Sequence, residues 1–77
     1  MIYVYAETAL AALDWARRQE WRPRDYRVTG ARSPAADGRQ FRPDDRIIVV
    51  GDLPAEAAET LARNHRKSPD APAIEYR

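Results

Sequence analysis

The chain has no cysteine, which excludes a disulfide framework and any thiolate metal ligand. Glycine is scarce, at three residues, and the turn Tyr5-Ala6-Glu7-Thr8-Ala9 contains none. A phosphate cradle needs backbone N–H groups freed by glycine at such a turn, and Glu7 adds a negative charge there, so no dinucleotide site is expected. There is one histidine, His65, and no Ser/His/Asp set can be assembled around it. No long hydrophobic run exists either. The longest, Met1 to Ala6, is far too short to span a bilayer, and no basic segment precedes it as in a signal peptide. These absences predict a soluble, cytoplasmic protein with no membrane association and no cofactor.

What is present fits one small domain over residues 1–77. A domain of this size buries only about 60% of the surface its unfolded chain exposes, so a partner or a second copy would help it. The net charge of +1 is unevenly spread. Nine arginines and five acids fall within residues 17 to 46, whereas both flanking stretches are acidic. Twelve arginines against one lysine, with abundant alanine, reads as the codon usage of a high-GC genome.

The stretch Arg46-Ile47-Ile48-Val49-Val50-Gly51-Asp52-Leu53-Pro54 organises the rest. Four consecutive β-branched apolar residues predict a strand buried on both faces, because a strand with one wet face would alternate. Gly51 frees the exit, and Pro54 is placed at the first position of a helix running to about Lys67. Its inward stripe is Pro54, Ala57, Ala58, Leu61 and His65, with His65 covering apolar surface near the helix C-terminus. Met1 to Ala6 predicts a second strand buried on both faces. Thr8 is the expected N-cap of a helix reaching about Trp21 and stopped by Arg22-Pro23, with Ala9, Ala12, Leu13 and Ala16 inward and Leu10 on the flank. Small residues dominate that stripe, so the helix can sit close to a sheet.

Asp25 to Gly30 and Ala73 to Arg77 alternate, the pattern of edge strands. Between them, Ser33 to Gly38 predicts one capped helical turn, Phe41 anchors the loop to the core, and Ser68 to Pro72 forms a turn. The order β-α-β, irregular connection, β-α-β implies a small three-layer doubly wound α/β fold. Its four mostly parallel strands take the order 2-1-3-4, and its two main helices lie on opposite faces.

Ligands of such sheets bind beyond the carboxyl ends of the strands where the winding reverses, here between the first and third strands. Glu7 and Asp52 fall there, and two carboxylates could hold Mg²⁺ or a nucleotide, with Thr8 beside them. Acids at helix N-termini are also favoured by the exposed N–H groups alone, and the sequence leans to that account. The positions of Glu7 and Asp52 resemble the acidic positions of TOPRIM domains and of response-regulator receiver domains. The second Asp of a TOPRIM D-x-D has no counterpart, since Leu53-Pro54 follows Asp52.

Arg17, Arg18, Trp21, Arg22, Arg24, Tyr26 and Arg27 interleave cations with aromatics, a pattern that grips phosphates and stacks bases. Acids interrupt it, and the isoelectric point near 8.2 is low for a nucleic-acid binder. Nucleic acid is therefore not the expected partner. Trp15 lies off the inward stripe, beside Arg18 and Gln19, where it either marks a contact surface or wraps the edge of the core.

The Tyr-rich opening strand, the Ala-rich helix with Trp15-Ala16-Arg17, the entry Pro23-Arg24-Asp25-Tyr26-Arg27-Val28 and the step Ile47 to Pro54 together resemble small uncharacterised α/β proteins of actinobacteria and actinobacteriophages. The resemblance implies a cytoplasmic accessory protein that binds and modulates a host protein. The resulting expectation is a non-enzymatic interaction module, either a homodimer or a binder of another protein. It would use Trp15 and the first helix or an exposed edge strand.

Overall fold

The computed structural model describes residues 1–32 and 38–77. Four strands form one sheet: β1 (Ile2–Tyr5), β2 (Tyr26–Thr29), β3 (Arg46–Val49) and β4 (Ile74–Tyr76), in the order β2-β1-β3-β4 and parallel throughout. Two helices connect them, α1 (Ala9–Arg17) and α2 (Ala55–Arg66). The order and the strand directions are those predicted from the two all-apolar stretches lying centrally. The helical turn expected over Ser33 to Gly38 falls, Gly38 apart, on residues outside that description.

Alternation along the central strands sends their side chains to two cores. Val4 and Ala6 pack with Ala12 and Ala16 of α1, joined at the margin by Ile2, Trp15, Trp21, Tyr26 and Val28. Tyr5, Ile47 and Val49 pack with Leu61 of α2 and with Phe41, joined by Tyr3, Leu53 and Ile74. The helices thus cover opposite faces. The fully buried side chains that α1 gives this core are alanines, with Trp15 at its margin. Gly30 shows how tightly the helix is seated: a Cβ there would stand 2.6 Å from the Ala9 nitrogen.

Local chemistry explains the helix ends, and two differ from the sequence expectation. Thr8 caps α1 as predicted, its hydroxyl accepting from the Ala11 N–H at 3.1 Å. The helix stops at Arg17 rather than near Trp21. The Arg18 and Gln19 N–H groups tighten onto Trp15 and Ala16, and Glu20 then takes a left-handed φ of 62° that turns Trp21 back against Trp15. At α2 the N-cap is Pro54, so the helix begins one residue late, its first bond running from the Ala58 N–H to the Pro54 carbonyl.

The inward stripe of α2 is also rotated from the predicted one. Pro54 and Ala58 are exposed, while Leu61 and Asn64 are buried and His65 half-buried. The reason lies in the loop before β3. Ser68, just past the helix, donates to the Asn64 carbonyl at 2.9 Å and accepts from the Phe41 N–H at 3.0 Å, both groups buried, so the C-terminal end of α2 turns toward Phe41. His65 Nε2 donates to the Pro72 carbonyl at 2.8 Å and holds the turn into β4.

Candidate functional site

Gly51 leaves β3 at a left-handed φ of 72°, a conformation glycine adopts freely. Asp52 follows it, and Glu7 stands after β1, one step short of Asp52 in the register of the two strands; both are exposed. They open onto different hollows. Glu7 lines one of about 510 Å³ with Thr8, Ala9, Gly30, Arg32 and Pro54. Asp52 lines another of about 200 Å³ with Leu53, Leu61, Ile74 and Tyr76. Thr8, the third member of the predicted set, is engaged as the helix cap. Among the described residues no group of three or more His, Asp or Glu side chains converges to hold a metal ion.

The basic stretch is divided by the sheet. Arg17, Arg22 and Arg24 are exposed along the end of α1 and the short 3-10 turn Pro23–Asp25. Arg27 sits in register with Tyr3, so its side chain leaves on the face opposite α1. The aromatics are occupied as well. Trp21 meets Trp15 edge-on at 5.8 Å and Tyr26 at 6.1 Å, and the Arg46 guanidinium lies 5.6 Å over its ring. Stacked bases would have to displace these contacts.

Trp15 is half-buried at the margin of the α1 core, which is the edge-wrapping arrangement. Gln19 reaches back to the Trp15 carbonyl at 3.2 Å, and Arg18 is exposed. Among the described residues, the large apolar side chains that do stand in solvent are Met1 at 38%, Leu10 at 67% and Tyr76 at 71% exposure. Sequence reasoning placed Leu10 on the flank of the inward stripe. Helix phase decides the difference, since Ala12 and Ala16 occupy the sheet contact and Leu10 turns away.

One arrangement had no sequence signal, and a second gives the expected edge strand its geometry. Arg39 reaches across the face opposite α1, 4.5 Å over the Tyr3 ring, and donates to the Tyr5 hydroxyl and Thr29 Oγ1, each at 3.0 Å. Burial pushes the Tyr5 hydroxyl above its ordinary value of 10.0, and Arg39 partly offsets that by favouring the phenolate. Thr29, on the same face of β2 as the exposed Arg27, is buried under this arginine. The other arrangement is the edge of β4. The Arg77 N–H donates to Val49 and its carbonyl accepts from Gly51, so Arg77 faces β3. By the two-residue period of a strand, the N–H and C=O groups of Ile74 and Tyr76 point outward. On the α1 side of the same strand, Glu75 accepts two bonds from Arg46 at 2.9 and 2.7 Å and one from Arg77 at 2.7 Å. Those arginines, Arg46 foremost, hold its carboxyl below the usual carboxylate value of 4.5.

Comparison with family models, with curated proteins and with solved structures found no match. Among the described residues no helix is long and apolar enough to cross a membrane. Among the described residues, neither carboxylate hollow brings an acid, a base and a nucleophile together.

Proposed function

We propose that this chain is a non-enzymatic interaction module that binds protein through the outer edge of β4 and the apolar groove beside it. The observation that supports this reading is the coincidence of three features at one edge. Ile74 and Tyr76 aim backbone donors and acceptors outward, Tyr76 stands 71% exposed, and Leu53, Ala58, Leu61 and Ala62 line the adjoining groove. An added strand would gain main-chain hydrogen bonds from the edge, and its alternate side chains would settle in the groove. Trp15, built into the core margin, becomes secondary to this edge.

Amide ¹⁵N–¹H spectra recorded with extended peptides, Mg²⁺, a nucleotide mixture and a short duplex in turn test the reading. Peptide alone is expected to move the signals of Ile74 to Arg77 and of Leu53, Ala58 and Leu61. Shifts near Glu7 and Asp52 with Mg²⁺ or nucleotide would transfer the function to a small-ligand site. Silence toward every peptide would remove the edge as the binding surface.

A further inference from the structure

Resting on the reading of the β4 edge as a binding surface, we infer that one occupant of that edge is β4 of a second copy, paired antiparallel about a two-fold axis beside Tyr76. An edge-to-edge pairing of identical strands with two-fold symmetry is necessarily antiparallel. Outward-facing residues must meet outward-facing residues, which leaves few registers.

An axis at Glu75 would set two carboxylates directly opposite each other, a destabilising arrangement. An axis at Ile74 would put Tyr76 opposite Pro72, which has no N–H to give. An axis at Tyr76 avoids both and, unlike one at Ile74, which sets Glu75 against Ala73, it pairs both charges. Ile74 then lies past Arg77 of the second copy, so the pairing holds two main-chain hydrogen bonds and draws its specificity from charge. Each Tyr76 N–H then donates to the Tyr76 carbonyl of the other copy, and the two exposed phenol rings lie side by side over the grooves. On the α1 side, Glu75 comes opposite Arg77 of the second copy, twice by symmetry. Glu75 and Arg77 already bond within one chain at 2.7 Å, with side chains 28% and 48% exposed, so both charges are in place for the exchange. This strand carries its own complement: an acid, an aromatic residue and a base at consecutive positions.

A three-residue edge makes a small interface, so the dimer is a weak, concentration-dependent one. High salt weakens it further by screening the paired charges.

Charge exchange tests the register. Glu75→Arg gives a strand with two bases and Arg77→Glu one with two acids, so each variant alone repels its own copy. Mixed together they restore two opposite-charge pairs. Sedimentation velocity across a range of concentrations is expected to show a wild-type dimer and roughly tenfold weaker association of each variant alone. The mixture is expected to recover dimer.

Because the chain has no cysteine, cross-linking gives a second readout independent of those charges. The Cα atoms of a hydrogen-bonded antiparallel pair stand about 5.5 Å apart, within disulfide range. Tyr76→Cys is therefore expected to oxidise to a covalent dimer and Ile74→Cys to stay monomeric. A monomeric wild type at every concentration, with no Tyr76→Cys cross-link, would overturn the self-pairing while leaving the peptide-binding reading to its own titration. A dimer indifferent to both charge variants would overturn it by placing self-association on another surface.

Discussion

The two faces of this sheet are closed by different means. Over the α1 face the helix offers Ala12 and Ala16 at 0% exposure, and their methyl groups let it sit close against Val4, Ala6 and Gly30. The opposite face is deeper. Leu61 of α2 reaches one half of it, and the segment 38–45 fills the other half with Phe41 and the guanidinium of Arg39. One face is closed by removing volume and the other by inserting it. They should therefore fail in opposite ways, the first when atoms are added and the second when they are taken away.

The largest effect belongs to Phe41. Its ring is 5% exposed, meets Tyr3 edge-on at 5.5 Å, and its backbone N–H ties the loop to Ser68 behind α2. Phe41→Ala is expected to cost about 3–5 kcal/mol. A chain of 77 residues has on the order of 4–12 kcal/mol in total, so this loss takes much of it. Chemical denaturation checks the figure, and a cost below ~1 kcal/mol would mean that the loop does not fill that face.

Adding atoms to the α1 face is next. Ala12→Leu would introduce a branched side chain where the exposure is 0% and the partners are Val4 and its neighbours, and a loss of about 1–3 kcal/mol is expected. Ala11→Leu, on the exposed side of the same helix, serves as the control and should be close to neutral. Equal costs at the two positions would remove the distinction between the faces.

Arg39→Met keeps length and loses charge. The Tyr5 and Thr29 hydroxyls would each lose the donated bond, an expected cost of about 1–2 kcal/mol. The pH dependence has a defined sign. The Tyr5 hydroxyl is raised in the folded state, so its neutral form contributes stability that is complete below pH 10.0 and lost as pH rises through the raised value. Without Arg39 that value moves further up, so the alkaline loss, which begins at 10.0 in both proteins, continues to higher pH and becomes larger. Tyrosinate absorbance and the denaturation midpoint, followed together above neutral pH, report both; a smaller alkaline loss in the variant would contradict the assignment.

How much of this was legible in the sequence follows the same division. Ile47-Ile48-Val49 and Ile2 to Tyr5 named the central strands because burial on both faces leaves an unbroken apolar run, and from them came the strand order. Ala12 and Ala16 announced the close helix by their size. The other face left no such trace. Arg39 and Ser68 are polar residues in stretches that read as solvated loop, and nothing in their spacing places one on Tyr5 and the other between Phe41 and Asn64. Their roles depend on contacts across 34 and 27 residues of chain, which local pattern does not record. Glu7 and Asp52 were legible as positions but not as a pair, because the hollows they line depend on how Pro54 and Tyr76 fold around them.

The smallest expected effect lies at the joint between α1 and the tryptophans. Glu20 holds φ at 62°, a conformation that costs most side chains about 1 kcal/mol and glycine little. It follows the last turn of α1, where a glycine would ordinarily reverse the chain, and the reversal is what brings Trp21 back to Trp15. Glu20→Gly should therefore stabilise the fold by roughly 0.5–1 kcal/mol, the relief of strain exceeding the entropy that glycine adds to the unfolded chain. Glu20→Ala, which keeps the Cβ, should give no such gain. If glycine destabilises instead, the turn carries no strain, and the position of Trp21 is fixed by its packing under Arg46 rather than by the backbone that delivers it.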